Sequence, residues 1–134
     1  MTWIVVHTKN NNEQKALRNL TKQGFEVFYP KILKSIILYN KARKIIKPLF
    51  PGYIFVNLKE NQNWLKINST FGVRTILKLS KEIYSLPIEI IRQIKRSCDK
   101  NDICFISNHK KGEKVRLIFK NSPSLQSVFC ENLD

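Results

Sequence analysis

Covalent or metal chemistry has few candidate residues in this chain. The two histidines, His7 and His109, fall in a strand-like run and a polar stretch, and neither has a serine, cysteine or carboxylate companion at a motif spacing. Cys98, Cys104 and Cys130 form no CxxC pair and no Cys/His cluster with zinc spacing. No glycine-rich loop could cradle a phosphate. The pattern points away from an enzyme, with no catalytic residue, metal or cofactor expected. Two other groups of residues can do recognition chemistry. One is cationic: 24 lysines and arginines stand against 10 acids, a net charge of +14. Such an excess fits a polyanion, nucleic acid first and an anionic surface second. Between residues 9 and 47 there are ten basic residues and two acids, Glu13 and Glu26, so the N-terminal half is the expected polyanion face. The other group is aromatic: Phe50, Tyr53 and Phe55 lie within Pro48-Leu49-Phe50-Pro51-Gly52-Tyr53-Ile54-Phe55-Val56.

That aromatic run reads as a turn feeding a strand. Two prolines restrict the backbone, Gly52 relaxes it, and from Tyr53 the side chains alternate. Ile54 and Val56 share one face and Tyr53 and Phe55 the other, so both faces call for cover. Trp3 to His7 reads as a buried strand. Glu13 to Gln23 reads as a helix ended by Gly24, with Ala16, Leu17 and Leu20 on one face and Lys15, Arg18 and Lys22 off it. Phe25 to Tyr29 reads as a second strand. Ile32 to Leu38 and Lys44 to Ile46 suggest a β-hairpin with its tip at Asn40 to Arg43. A short helix is expected around Trp64, Leu65 and Ile67. A strand follows from Val73 to Leu79, with Val73, Thr75, Leu77 and Leu79 on one face. A helix is expected from Ile88 to Lys100, opened by Pro87. The isoleucines 88, 90, 91 and 94 exceed one narrow stripe, so that helix is expected to be covered on two sides.

The resulting order implies an α+β fold: a mainly antiparallel sheet with packed helices. A chain of 134 residues with 43% hydrophobic content is enough for one domain, or one domain plus a fragment. Asp99 to Lys111 reads as a polar linker. Beyond it, Lys114 to Phe119 and Leu125 to Phe129 are strand-like runs too few for an independent barrel. No apolar run reaches membrane-spanning length, and Met1 to His7 lacks the features of a signal peptide. With three cysteines, this leads to an expectation of reduced thiols in the cytoplasm.

These residues resemble the NusG family of transcription elongation factors, and within it the RfaH-like specialised antiterminators. The resemblance is carried by Trp3 to Lys9, Glu13, Ala16-Leu17 and Leu20. It continues through Phe28-Tyr29-Pro30, Pro48 to Val56, Ile67 to Val73, Leu86-Pro87 and Ile90 to Ile94. It spans residues 3 to about 100. The resemblance implies an N-terminal RNA polymerase-binding domain over residues 1–100, a linker over 101–111 and the incomplete start of a KOW-like domain over 112–134. It implies docking on the clamp helices of the beta-prime subunit, with a further contact to the beta gate loop, and suppression of pausing.

By motif match, the polymerase-binding residues would be Phe50, Pro51, Tyr53, Phe55, Ile91 and Ile94, and the gate-loop element would fall at Asn63 to Lys66. The resemblance also implies contact with the non-template DNA strand. Lys9, Lys22, Gln23 and Thr70 match that face, and Lys15, Arg18, Phe71 and Arg74 join them as nucleic-acid-binding candidates. Phe71 stands where an arginine is usual and could stack on a base. A ribosomal protein or Rho would be a partner only with a complete KOW domain. The tail is expected to be poorly ordered or to lie against residues 50 to 55. A monomer with no membrane partner is expected. The competing reading is a free-standing RNA- or DNA-binding module, with Tyr53 and Phe55 stacking on bases.

Overall fold

The computed structural model describes residues 2–104 and Phe129. In chain order the elements are β1 (Thr2–Thr8), α1 (Glu13–Lys22), β2 (Glu26–Phe28), β3 (Lys31–Leu38), β4 (Lys41–Pro48), β5 (Tyr53–Leu58) and α2 (Leu65–Asn68). They continue as β6 (Val73–Ile76), β7 (Lys78–Leu79), β8 (Glu82–Ile83), β9 (Ser85–Leu86), α3 (Ile88–Arg96) and β10 (Ile103–Cys104). The fold is α+β with mostly antiparallel sheets, as the element order implied. The chain divides into two compact units, one of residues 1–29 and 51–88, the other of residues 30–50 and 89–134.

The first unit is built on a sheet in the order β2-β5-β1-β6, with β9 also paired to β1. β1 is its centre because Trp3 to Val6 are apolar on both faces and fully buried. β5 runs antiparallel to it, pairing Val5 with Phe55 and His7 with Tyr53. On one face Ile4, Val6, Ile54 and Val56 pack with Ala16 and Leu20 of α1, Ile67 of α2, and Val73 and Ile76 of β6. α1 ends where Gly24 takes a positive φ of 91°. There the amide of Phe25 donates to the Leu20 carbonyl and that of Gly24 to the Thr21 carbonyl, closing the last turn. On the sheet's opposite face Phe28 and Phe55 stack at 6.1 Å. Both faces of β5 are therefore covered, as its apolar alternation required.

The expected strand from Val73 to Leu79 is shorter. β6 stops at Ile76, its buried residues are Val73 and Ile76, and Thr75 is exposed. Lys78 and Leu79 instead pair with Glu82 and Ile83 in a small hairpin. Its turn residues, Ser80 and Lys81, have φ of 55° and 71°. Such a turn normally calls for glycine or asparagine, so this sequence carries no turn signal there.

In the second unit β3 and β4 form a hairpin with eight paired positions, from Lys31↔Pro48 to Leu38↔Lys41. The turn is Tyr39-Asn40, with φ of 52° and 61°, not the expected tip at Asn40 to Arg43. Lys41, Ala42 and Arg43 belong to β4. β10 joins β3 in parallel, pairing Ile103 with Lys31 and Cys104 with Ile32, so Ile103 and Cys104 of the expected linker over 101–111 form a strand. α3 ends at Arg96 rather than Lys100. Cys98 and Cys104 are disulfide-bonded across an isolated antiparallel bridge. This corrects the expectation of reduced thiols for those two: an odd count of cysteines does not reveal which of them a turn brings together. Cys130, and the runs expected over 114–119 and 125–128, lie outside the described residues.

Candidate nucleic-acid and protein interfaces

Two glycine turns of the first unit meet the junction between β1 and α1. In Thr70-Phe71-Gly72-Val73, Gly72 has φ of 97°, and its carbonyl accepts from the Lys9 amide at 2.9 Å. A Cβ built on Gly72 would lie 2.9 Å from the backbone nitrogen of Ala16, so only glycine lets this turn close on the helix. Asn19 of α1 donates from Nδ2 to the Phe71 carbonyl at 3.1 Å. The buried Thr70 hydroxyl donates to the Lys66 carbonyl at 2.7 Å and accepts from Gln23 Nε2 at 2.8 Å.

Held this way, the Phe71 ring is 65% exposed. Lys9 Nζ lies 5.9 Å and Lys15 Nζ 5.6 Å from its centroid. Both ammonium groups are within cation–π range of a ring that solvent can reach. Arg18 and Lys22 are exposed along the same helix as Lys15. The arrangement offers a flat apolar platform flanked by two cations, which suits an unpaired base with its phosphates.

Of the sequence candidates for this face, Lys9, Lys15 and Phe71 are brought together directly. Gln23 and Thr70 act through the turn: Thr70 is buried and its hydroxyl is engaged as both donor and acceptor, so its role is to position Phe71. Asn19 does the same from α1, and sequence reasoning gave it no role. Arg74 is exposed on β6. Its charge, after burial, helps hold the pKa of His7 below the usual histidine value.

The second turn is Pro51-Gly52. The Gly52 amide donates to Glu13 Oε1 at 3.0 Å, and its carbonyl accepts from the Thr8 amide at 2.8 Å. Glu13 is 8% exposed, a buried acid in a basic chain. Burial first, and then the Glu13 carboxylate, push the Tyr29 hydroxyl up to about 12. Beyond the turn, half-buried Tyr53 stacks on His7, with centroids 4.8 Å apart and planes 15° from parallel. Neither Glu13 nor His7 had been assigned a function from the sequence. The signal for Glu13 was its isolation among the basic residues from Lys9 to Lys22.

Among the six candidates for a protein partner, accessibility is uneven. Pro51 is exposed and Tyr53 half-buried, but Phe50, Phe55, Ile91 and Ile94 are each at most 2% exposed. Pro51 and Tyr53 are therefore the accessible members of the six, and the burial of Phe55 accords with the two-sided cover expected of its strand. In the first unit Phe55 is taken up by Phe28. In the second, Phe50 packs on Phe129 at 4.9 Å, the one described residue of the tail that was expected to lie against residues 50 to 55. The segment Asn63 to Lys66 is organised locally: Asn63 Oδ1 accepts from the Leu65 amide at 3.0 Å, Leu65 is exposed, and Lys78 Nζ lies 5.6 Å from the Trp64 ring.

Among the described residues, no group of three or more His, Cys, Asp or Glu side chains is gathered as a metal ion would need. No helix there is long and apolar enough to cross a membrane.

The β1–α1 core thus carries two glycine turns and a solvent-facing basic patch. The family model described as NusG, transcription termination factor nusG, matches residues 1–95, and this chain belongs to that family. Among curated relatives, the transcription termination/antitermination protein NusG of Staphylococcus epidermidis is 33% identical over 81 residues, covering 53% of this chain and 44% of the relative. The Staphylococcus carnosus protein of the same name is also 33% identical over 81 residues, with the same coverage. The Staphylococcus aureus one is 32% identical over 81 residues. The chain thus spans less than half the length of the curated relatives it matches. A solved structure titled for domain interaction in Thermotoga maritima NusG covers 71% of this chain and 55% of its own, at 18% identity and a TM-score of 0.45.

Proposed function

We propose that the chain is a transcription elongation and antitermination factor that binds RNA polymerase and touches the displaced non-template DNA strand. Membership of the NusG family supports the polymerase part, as do the names of its relatives, which are transcription termination/antitermination proteins. The DNA part is carried by one observation: Lys9 and Lys15 flank an exposed Phe71 whose turn is held from α1 and α2. In this reading Pro51 and Tyr53 form the accessible part of the clamp-helix contact, and the exposed Leu65 beside Trp64 faces the gate loop. Arg74-Thr75-Ile76-Leu77 after Gly72-Val73, where housekeeping members carry turn glycines and a phenylalanine, favours a specialised, RfaH-like paralogue within the family, while Phe71 departs from the arginine usual in RfaH-like members.

The experiment is a paired titration of the chain against RNA polymerase and against a single-stranded oligonucleotide. Tyr53→Ala should cost polymerase binding on the order of 2 kcal/mol, the range of an interface hot spot, and leave oligonucleotide affinity unchanged. Phe71→Ala should do the reverse, costing roughly 1–3 kcal/mol on the oligonucleotide. The second reading, a nucleic-acid module independent of polymerase, is favoured by the burial of four of the six partner candidates. It wins if wild type binds the oligonucleotide but not the polymerase.

A further inference from the structure

We infer that Cys98 and Cys104 are a reversible thiol–disulfide pair, a redox modification site that fastens the segment after α3 to the base of β3. The inference rests on the polymerase reading in one respect. A factor that works on RNA polymerase works in a compartment kept reduced, where a disulfide is transient and redox-sensing rather than a permanent brace. The turn that joins the two cysteines is folded by its own hydrogen bonds. The Asp99 amide donates to the Ile103 carbonyl at 3.0 Å, and the Asp102 amide to the Asp99 carbonyl at 3.1 Å. Asp99 Oδ1 accepts from the Asn101 amide at 2.8 Å and from the Ile103 amide at 3.1 Å. Asp102 takes a left-handed φ of 61°, which aspartate tolerates better than most residues. These bonds set Cys98 opposite Cys104 across an antiparallel bridge, so two thiols there meet without rearrangement of the chain.

The two sulfurs differ in access. Cys98 is half-buried just beyond α3, whereas Cys104 is 1% exposed. An external thiolate therefore attacks at Cys98. With a dithiol as reductant, one thiolate bonds to the Cys98 sulfur and the Cys98–Cys104 bond breaks. Cys104 leaves as a thiolate and takes up a proton. The reductant's second thiolate then attacks the reductant sulfur of the mixed disulfide and expels the Cys98 thiolate, which is protonated in turn. Two electrons have passed to the protein, and the reductant ends as an internal disulfide. Closure is the reverse exchange, with a small disulfide as oxidant.

What the bond fastens is otherwise lightly held. β10 has two residues, paired with Lys31 and Ile32, and the Lys31 amide donates to the Asp102 carbonyl at 2.8 Å. So short a strand gains little from its own ladder. The closed pair ties β10 through a short loop to α3, whose Ile90, Ile91 and Ile94 are buried. It thereby removes much of the freedom β10 would gain by leaving β3. Opening the pair restores that freedom and lets Ile32, 2% exposed when covered, come into solvent. The redox state of two side chains thus sets how firmly the base edge of β3 stays covered.

The test equilibrates the full chain with mixtures of reduced and oxidised glutathione, then adds dithiothreitol without denaturant, and reads each thiol by alkylation and peptide mass. The Cys98–Cys104 pair should close in the oxidised mixtures and open with dithiothreitol. Hydrogen exchange at the Lys31 amide should be at least roughly tenfold faster in the open form, while the amides of β1 stay within about twofold. Cys98→Ser, a change at the more accessible sulfur, should exchange at Lys31 like the reduced wild type in every mixture. Asp99→Ala removes two of the turn's hydrogen bonds and should shift the equilibrium toward the open thiols by roughly tenfold. The proposal is overturned if both thiols stay free in oxidised glutathione, or if Cys130 pairs with either of them. It is overturned too if the pair resists dithiothreitol until the chain unfolds, which would make it a permanent brace. Equal Lys31 exchange in the two forms also overturns it. Thiol state and exchange are read without polymerase, and a polymerase titration of both redox forms scores the polymerase reading separately.

Discussion

The two glycine turns at the β1–α1 junction share a construction and differ in what they display. Each has a glycine at positive φ, and each accepts a backbone amide from the end of β1 or the residue after it. At the 70–73 turn the result is an exposed ring between two ammonium groups. At the 51–52 turn it is a half-buried ring stacked on a histidine, followed by a strand buried on both faces. The difference lies in the helix residues that hold each loop. Asn19 is neutral and tethers only the backbone of Phe71, leaving the ring to solvent and to Lys9 and Lys15. Glu13 is a buried acid that satisfies the Gly52 amide, and its charge stays within the fold. A turn held by a neutral amide among cations can face a polyanion; one held by a buried carboxylate is better suited to an uncharged, aromatic contact.

The sharpest way to break this comparison is through the glycines. Gly72→Ala places a Cβ against the backbone of α1 as well as straining φ, so it should cost about 3 kcal/mol or more in denaturant unfolding. Gly52→Ala meets only the His7 ring at 3.6 Å and should cost about 1–2 kcal/mol, mostly strain. Equal costs would mean that close approach to the helix does not distinguish the turns.

Removing the Glu13 carboxylate comes next. Glu13→Ala leaves the Gly52 amide without its acceptor and should destabilise the chain by about 1–3 kcal/mol. The same variant should lower the Tyr29 pKa only partly, since burial is the larger cause of its elevation. A spectroscopic titration of Tyr29 that returns fully to 10.0 would show that the acid dominates instead.

Single lysines should have smaller effects. Lys9→Ala or Lys15→Ala should each flatten the salt dependence of oligonucleotide binding by about one charge, with stability within about 0.5 kcal/mol of wild type. An unchanged slope would remove that lysine from the phosphate contact.

The remaining effects should be those of pH. His7 has a lowered pKa in the folded chain, so its neutral form stabilises the fold above 6.5 and that contribution is lost as pH falls through the folded value. Tyr29 works at the other end: its contribution is complete below 10.0 and is lost as pH rises toward about 12. Thermal melts of His7→Phe should lose the acid-side decline and keep the alkaline one.

Much of this was legible in the residues themselves. β1, α1 and β5 follow from period and composition: a β-branched apolar run, one apolar helix face closed by Gly24, and strict alternation after Gly52. The hairpin was legible as two arms, but its turn was misplaced because Tyr39 and Asn40 adopt a conformation that usually advertises itself with glycine. The β7–β8 hairpin was missed for the same reason at Ser80 and Lys81. In the candidate sites, Lys9, Lys15 and Phe71 were each named from the sequence, while the hydrogen bonds of Thr70 to Gln23 and to the Lys66 carbonyl were not legible there.

By itself the sequence determined the fold class, the cationic character, and the strands and helix that make the first unit's core. Those depend on local periodicity and on how many charges the chain carries, which are properties of neighbours along the chain. Only the tertiary structure decided which side chains meet. Phe71 stands between Lys9 and Lys15 because Gly72 lets a distant turn close on α1. Glu13 is a buried acceptor because Gly52 approaches it from 39 residues away. Phe55 is closed off because Phe28 pairs across the strand register. Each of these is a long-range contact, selected by close packing and by the cost of leaving a buried amide unpaired.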